Sequence, residues 1–173
     1  LNDALQQLKI SQVTLEQTNA YQKAILENAG AMIIATDKEG IIKLFNPEAC
    51  LNIGYGETEV IDKMTPMVFH IKSEIDRKRK KLFKEFGINI KEDFDVMVEK
   101  SRRNIHEEQQ YNYIRKDDTT FPVSLTITAM YDRKGEIIGY MGISFDISER
   151  KKAEEELLKS LGKEKELSDL KSR

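Results

Sequence analysis

Hydrophobic residues recur at helical spacing over residues 1–28, a stretch that contains no glycine or proline. The leucines there fall on an alternating spacing of four and three residues, and the polar residues Gln12, Asn19 and Gln22 occupy the intervening seam positions. The seam leucines are Leu1, Leu5, Leu8, Leu15 and Leu26. This heptad pattern predicts an N-terminal coiled-coil helix, with a single amphipathic helix packed on its own domain as the alternative.

From residue 29 onward the hydrophobic period becomes that of β-strands. Two short apolar runs, 31–37 and 41–46, are separated by a turn that contains glycine, and this arrangement predicts a β-hairpin. Asn46 and Pro47 then supply an N-cap and a suitable first residue for a short helix. The helices predicted in the middle of the chain span residues 47–53, 57–62, 73–86 and 92–103.

Three more strands are predicted after residue 110. Residues 121–131 alternate between apolar and mostly hydroxyl-bearing side chains, which is typical of a strand buried on one face. A strand at 111–116 precedes this run, and a strand at 136–147 follows it after a turn at Gly135. Two strands, several short helices and three more strands predict an α+β domain, in which short helices cover one side of a five-stranded antiparallel sheet.

The last predicted strand continues into a charged helix without a loop. Asp146 and Glu149 have the spacing of a helix capping box, and Asp146 and Arg150 carry opposite charges four residues apart. A strand joined this directly to a helix can transmit a displacement from the sheet. The predicted signal-coupling segment consists of Asp146, Ile147, Ser148, Glu149 and Arg150.

These patterns divide the chain into three parts: an N-terminal helix (1–28), a domain (29–147) and a C-terminal linker helix (148–173). Leu157 and Leu161 continue an apolar stripe along the C-terminal helix. Exposed apolar stripes at both ends need burial, so we expect a parallel homodimer formed through both helices.

Composition excludes several classes of function. Charged residues make up 34% of the chain and apolar residues 39%, and the formal net charge of −2 gives no general attraction to nucleic acid or to an anionic membrane. No apolar run approaches the roughly 20 residues that cross a bilayer. We therefore expect a cytoplasmic segment without a signal peptide, within a parent chain that can still be membrane-anchored. The basic run 77–81 is interpreted as a solvated helix face, with a phosphate-binding patch as the alternative.

Candidate catalytic residues are scarce. The chain has two histidines and one cysteine, Cys50, so an internal disulfide is excluded and neither histidine has a second ligand at metal-binding spacing. No Ser-His-Asp arrangement, glycine-rich phosphate loop or paired-carboxylate motif is present. We expect no enzyme active site and no metal site in this chain.

Several short motifs together resemble one known family. They are Glu27-Asn28-Ala29, Phe45-Asn46-Pro47-Glu48-Ala49, Tyr113-Ile114-Arg115-Lys116-Asp117, Phe121-Pro122-Val123 and Asp146-Ile147-Ser148-Glu149-Arg150. With the elements around them, residues 25–150 resemble a PAS domain, the sensory module of many signalling proteins. The family often has glycine where Lys63 and Asp118 stand. Because aspartate tolerates a positive φ better than most residues, this difference implies no different fold.

The resemblance implies a ligand cavity between helix 73–86 and the inward residues of strands 121–131 and 137–147. The expected pocket residues are Phe69, His70, Leu125, Ile127, Met141 and Ile143. His70 stands where some PAS domains bind haem iron, although a helix cap or core-edge residue is the simpler interpretation. Cys50 lacks the sequence context of the flavin-binding photoreceptors in this family. The cofactor therefore stays unknown, because the motifs support neither haem nor flavin.

Residues 166–173 are similar to the segment that leads into the dimerisation and phosphotransfer helix of sensor histidine kinases. This resemblance implies a sensory or relay module that signals through a dimeric coiled coil to a downstream kinase in the same chain, within a two-component system. A ligand-free dimerisation module, a different output domain such as a diguanylate cyclase, and an ordinary charged linker helix stay open as alternatives.

Overall fold

The computed structural model describes residues 1–172, so Arg173, the last residue of the predicted helix 148–173, lies outside the described residues. The five strands are β1 (Met32–Asp37), β2 (Ile42–Phe45), β3 (Gln109–Ile114), β4 (Thr120–Tyr131) and β5 (Ile137–Asp146). The helices are α1 (Asn2–Asn28), α2 (Pro47–Ile53), α3 (Glu57–Val60), α4 (Lys72–Phe86), α5 (Asp93–Arg102) and α6 (Ser148–Lys171), and a 3₁₀ helix (Pro66–Phe69) precedes α4.

The strands form one antiparallel sheet in the order β2-β1-β5-β4-β3. The last strand of the chain therefore lies in the centre of the sheet, between β1 and β4. This arrangement confirms the predicted α+β fold with a five-stranded antiparallel sheet.

The core lies between one face of the sheet and the helices α2 to α5. Phe69, Ile75, Leu82 and Val96 from this helical layer are almost completely buried against inward-facing side chains of the sheet, such as Val123. The opposite face of the sheet is open, with Ile143 and the half-exposed Phe145 side by side on it. Apolar side chains on that open face are available for contacts outside the domain.

The local sequence explains several turns and helix ends. The side chain of Asn46 accepts a hydrogen bond from the Ala49 N–H at the start of α2, as the N-cap prediction requires. Gly54 and Gly87 end α2 and α4 in the left-handed conformation that glycine adopts without strain. Asp118 also has a positive φ, 64°, in the β3–β4 turn. Asp118 thus adopts the left-handed conformation at this turn, which aspartate tolerates better than most residues.

The two long terminal helices extend away from this core, and neither α1 nor α6 contains a buried residue. Among the helices of residues 1–172, none combines the length and the apolar character needed to cross a membrane.

Candidate functional site

One residue separates the central strand β5 from helix α6. Ile147 is only 5% exposed, although strand residue Asp146 before it and much of α6 after it are open to solvent. Its backbone N–H donates a hydrogen bond to the carbonyl of Pro122, 3.0 Å away in β4. The start of α6 is therefore fixed to two neighbouring strands of the sheet.

The side chain of Asp146 stabilises the junction differently from the prediction. Its carboxylate accepts hydrogen bonds from the Ser148 backbone N–H at 2.8 Å and from the Ser148 hydroxyl at 2.6 Å. The expected capping box with Glu149 is absent from this described junction, because Ile147 occupies the N-cap position and has no capping side chain. Asp146 lies one residue too early to reach the N–H groups of the next turn. Glu149 still lies in the first turn, where a negative charge is favourable.

The opposite charges of Asp146 and Arg150 also predicted an ion pair between them, and this prediction is wrong. The Arg150 Nε lies 3.8 Å from a carboxylate oxygen of Glu154, one turn further along α6. A spacing of four residues brings side chains together only when both belong to the same helix, and Asp146 still has the extended conformation of β5.

At the other end of the domain, Asn46 connects α1 to the sheet. Its amide nitrogen donates to the carbonyls of Leu26, at 3.0 Å, and Ala31, at 2.8 Å. Its amide oxygen accepts from the backbone N–H groups of Ile33 and Ala49. One buried side chain therefore ties together the end of α1, the start of β1 and the start of α2. The sequence indicated the cap at Ala49, but the bond to Leu26 spans 20 positions and left no local signal.

The two long helices leave the domain at the same end. Residue Met32 at the start of β1 lies opposite Ser144 near the end of β5, because the two strands are antiparallel neighbours. The C-terminal end of α1 and the N-terminal end of α6 are thus joined to adjacent strands. A change in the β1–β5 pair reaches both helices.

A cavity of about 40 Å³ lies between the sheet and the helical layer. Of the six pocket residues predicted from the sequence, His70, Leu125 and Ile127 line it. Phe69 lies elsewhere in the core, where its ring packs on the rings of Phe45 and Tyr55.

The prediction was wrong for Met141 and Ile143, which lie on the opposite face of the sheet. Side chains alternate along a strand, and the β5 residues that line the cavity are Tyr140 and Gly142. Ile143 instead lies beside Phe145 on the open face. The apolar side chains on both faces of β5 gave no reliable sequence signal for which face points inward.

Helix α5, and not the predicted helix 73–86, covers the cavity. Phe94, Met97 and Val98 of α5 line it, and the hydroxyl of Ser101 donates to the Ile127 carbonyl at 2.9 Å, which fixes α5 to β4. Helix α4 instead buries Ile75 and Leu82 in the core beside the cavity. Both helices are amphipathic, so hydrophobic periodicity alone did not distinguish their positions.

His70 is the titratable residue of the cavity wall. Its ring packs edge-to-face against the rings of Tyr111 and Tyr113, with centroid distances of 5.4 and 5.0 Å, respectively. Burial lowers its pKa to about 3, and the positive charge of Lys78 contributes further to this decrease. The imidazole is therefore neutral near pH 7.

The cavity is small as it stands, and the cysteine of the chain is not among the residues that line it. A cavity of about 40 Å³ is far smaller than a porphyrin or a flavin ring system. Cys50 lies on α2, and burial raises the pKa of its thiol, which disfavours the reactive thiolate. Across residues 1–172, no three His, Cys, Asp or Glu side chains come together as a candidate metal site.

The basic run 77–81 does not form one continuous surface. Lys78 turns inward, where its ammonium group donates to the Tyr111 hydroxyl at 3.0 Å and burial lowers its pKa to about 8. Arg79 turns to the other side of α4 and pairs with Asp76 and Asp93. Lys78 and Arg79 therefore connect α4 with β3 and α5, whereas the other three residues of the run are exposed.

The predicted dimer leucines lie on the two terminal helices. Leu5, Leu8 and Leu15 of α1 are between 59% and 67% exposed in the single chain, and Leu157 and Leu161 of α6 are 61% and 52% exposed. Leu26 is part-buried, at the end of α1 that meets the domain. The structure leaves both apolar stripes without a partner within residues 1–172.

A comparison with models of protein families matches residues 29–149 to the PAS domain. These residues contain the sheet, the helical layer and the cavity described above. This chain belongs to the PAS domain family. PAS domains are sensory modules of signalling proteins. Ile147 lies at the C-terminal limit of this one, and Asn46 binds the end of α1 at its N-terminal limit.

Two further comparisons place the PAS domain among known proteins. The chain is 29% identical over 158 residues to the bacterioopsin transcriptional activator of Halobacterium salinarum, an alignment that covers 90% of this chain and 21% of that protein. The chain thus spans about a fifth of the length of this relative. The crystal structure of the PAS domain of an HTR-like protein from Haloarcula marismortui has a TM-score of 0.57 and 25% identity, covering 80% of this chain and 99% of that one.

A PAS domain from a two-component sensor histidine kinase also has the same fold. Its TM-score is 0.55 with 11% identity, and the superposition covers 76% of this chain and 97% of that chain. At this identity the likeness concerns the fold alone.

Proposed function

We propose that this PAS domain is a relay module, which transmits a change in its sheet to the long helix α6 and from there to an output domain. The observation that carries this proposal is the position of Ile147. This buried residue joins the central strand β5 to α6 and is hydrogen-bonded to β4. A shift of β5 relative to β4 therefore moves the first turn of α6 directly.

The relay acts through a parallel dimer in this proposal. The exposed leucine stripes of α1 and α6 become buried when two copies align, and both helices start from the same end of the sheet. On the open sheet face, Phe145 adds apolar surface close to the start of α6. Two paired α6 helices would then carry a rotation or a shift in register to paired output domains.

The proposed output is a histidine kinase of a two-component system, supported by the sequence of residues 166–173. A transcriptional output is the second candidate, because the relative that matches 90% of this chain is a transcriptional activator. In both cases the domain itself acts by binding and relay, with catalysis located elsewhere in the parent protein. Incubating the full-length protein with labelled ATP distinguishes the two outputs: autophosphorylation on histidine supports the kinase, and its absence in a protein that activates transcription rejects it.

The relay through α6 is tested by insertions after Leu161 in the full-length protein. Inserting a whole heptad keeps the apolar stripe in phase and should preserve regulation. Inserting two residues turns the following segment by roughly 200° about the helix axis and should alter basal output. If both insertions leave output and its regulation unchanged, the relay through α6 is rejected.

A further inference from the structure

Two buried polar atoms of the cavity wall lack a hydrogen-bond partner in the described part of the chain. They are the Thr36 hydroxyl oxygen and the Nδ1 atom of His70. Thr36 is 4% exposed and His70 is 6% exposed. A buried polar group without a partner costs about 1–3 kcal/mol, and most such groups in folded proteins are paired. Both residues line the same cavity, which indicates that their partner is a molecule inside it.

The remaining wall restricts the chemistry of this molecule. None of the thirteen lining residues is an aspartate, glutamate, lysine or arginine, and most are apolar. A charged ligand would be buried without a counter-charge, which is strongly unfavourable. His70 adds no charge near pH 7, because burial lowers its pKa to about 3.

The volume restricts the size of the molecule. A cavity of about 40 Å³ exceeds the roughly 10–15 Å³ that one water needs and suits a molecule of only a few non-hydrogen atoms. We propose that the cavity binds a small uncharged molecule with a short apolar body and one hydroxyl, carbonyl or amide group, and that this group hydrogen-bonds Thr36 and His70. Ordered water alone would satisfy the two polar atoms, but it would keep the apolar side chains of the wall in contact with water, which is unfavourable.

The position of the cavity suggests how such a molecule enters. Met67 and Phe94 line both the cavity and a cleft at the surface, so these two side chains form the wall between them. The ring of Phe94 packs edge-on against Tyr140, with a centroid distance of 5.7 Å. A rotation of the Phe94 side chain opens a path from the cleft.

Occupation of the cavity would act on the central strand. Gly142 and Tyr140 belong to β5, the strand that leads to Ile147 and α6. This last step rests on the proposed relay function, whereas binding itself does not. Binding and output are therefore measured separately.

Binding is tested by following the backbone amide signals of the chain by nuclear magnetic resonance during titration with 2-propanol, acetamide and acetate. These probes have similar size, but only acetate is charged. We expect saturable shifts around Thr36, His70 and Gly142 with 2-propanol and acetamide, and none there with acetate. The proposal is overturned if acetate binds equally well, or if neither neutral probe saturates, which would leave water only in the cavity.

The variant Thr36→Val tests the hydroxyl anchor, because valine has nearly the same shape. Removing an unpaired hydroxyl should leave the melting temperature unchanged or raise it, while the affinity for 2-propanol falls about tenfold. The matched control Thr126→Val removes a hydroxyl from the opposite face of the sheet and should leave affinity unchanged. A Thr36→Val protein that melts several degrees lower and binds 2-propanol normally would assign the hydroxyl a structural role and overturn the proposal.

A second variant fills the cavity itself. A Cβ atom at residue 142 would lie 3.3 Å from Leu125 Cδ1, the end of a flexible side chain, so Gly142→Ala is compatible with folding. It should abolish saturable binding of both neutral probes, and unchanged binding would place them elsewhere. If the probes bind as expected but leave the output of the full-length protein unchanged, the relay to α6 fails while the binding site stands.

Discussion

The side-chain amide of Asn46 donates a hydrogen bond to the carbonyl of Leu26, 3.0 Å away, and thereby joins the last turn of α1 to the buried edge of the domain. The same amide also bonds Ala31, Ile33 and Ala49. Because Asn46 is only 3% exposed, water cannot easily replace these bonds. The conformation of α1 is therefore coupled to the start of the sheet by one side chain.

Replacing Asn46 with alanine should destabilise the domain by roughly 2–4 kcal/mol, since it leaves several buried backbone groups unpaired and removes the cap of α2. Urea unfolding followed by circular dichroism measures this change. Asn52→Ala is the control: that amide bonds only Glu48 within α2, and we expect a loss below about 1 kcal/mol. Equal losses in the two variants would contradict the bridging role of Asn46.

Asp146→Ala should leave the sheet folded but alter the output of the full-length protein, because it removes the two bonds to Ser148 that fix the first residue of α6. Losing these two exposed hydrogen bonds should cost about 1 kcal/mol. Asp132→Ala is a matched control, since Asp132 also accepts two local hydrogen bonds, in its case from the backbone N–H groups of Lys134 and Glu136, in a turn away from α6. Both variants should melt similarly and only Asp146→Ala should change basal output and its response; normal regulation in that variant refutes the coupling.

The double variant Leu8→Lys/Leu15→Lys should shift the chain from dimer to monomer, because like charges would face each other at the seam of α1. Light scattering at micromolar concentration reports the mass. Gln7→Lys/Thr14→Lys adds the same charge on an outward-facing position of the heptad and should stay dimeric. An unchanged mass for the leucine variant would show that α1 contains no such seam.

Stability should fall as the pH decreases from 7 to 5 because of His70. The unfolded chain binds a proton at this residue near pH 6.5, but the folded chain does so only at about pH 3. Between these values the unfolded state holds more protons, so acidification favours unfolding, by about 2 kcal/mol over this range. His70→Phe should remove this slope in urea unfolding measurements.

The exposed His106 provides the control for that slope, and His106→Gln should retain the pH dependence of the original chain. The pKa values of Asp93 and Glu107 are lowered by hydrogen bonds from Lys72 and Lys100, respectively, so these carboxylates affect stability in more acidic solution. A slope that persists in His70→Phe would mean that another group is responsible.

Hydrophobic periodicity predicted the number of strands and their sequence along the chain, because each strand is encoded by neighbouring residues. It gave no information on the order of the strands within the sheet. The alternation over residues 121–131 correctly placed Leu125 and Ile127 inward. The same reasoning failed for Met141 and Ile143, since β5 is central and carries apolar side chains on both faces.

Contacts between distant residues were beyond sequence reasoning. The bond from Asn46 to Leu26 and the bond from Ile147 to Pro122 depend on how separate elements meet. The choice of α5 over α4 as the cover of the cavity also depends on packing, because both helices have a suitable apolar face. Asp146 was recognised as a junction residue, but its partner Ser148 follows from the exact point at which β5 ends.

The central position of β5 also determines when the domain can fold during its synthesis. Its partner β1 is synthesised about a hundred residues earlier. The pair β2-β1 and the pair β4-β3 cannot join into one sheet until β5 is inserted between β1 and β4. The nascent chain must therefore keep the edges of β1 and β4 unpaired until nearly the whole domain has left the ribosome. Open strand edges of this kind are prone to aggregation, so the period before β5 emerges is the most vulnerable stage in the life of this protein.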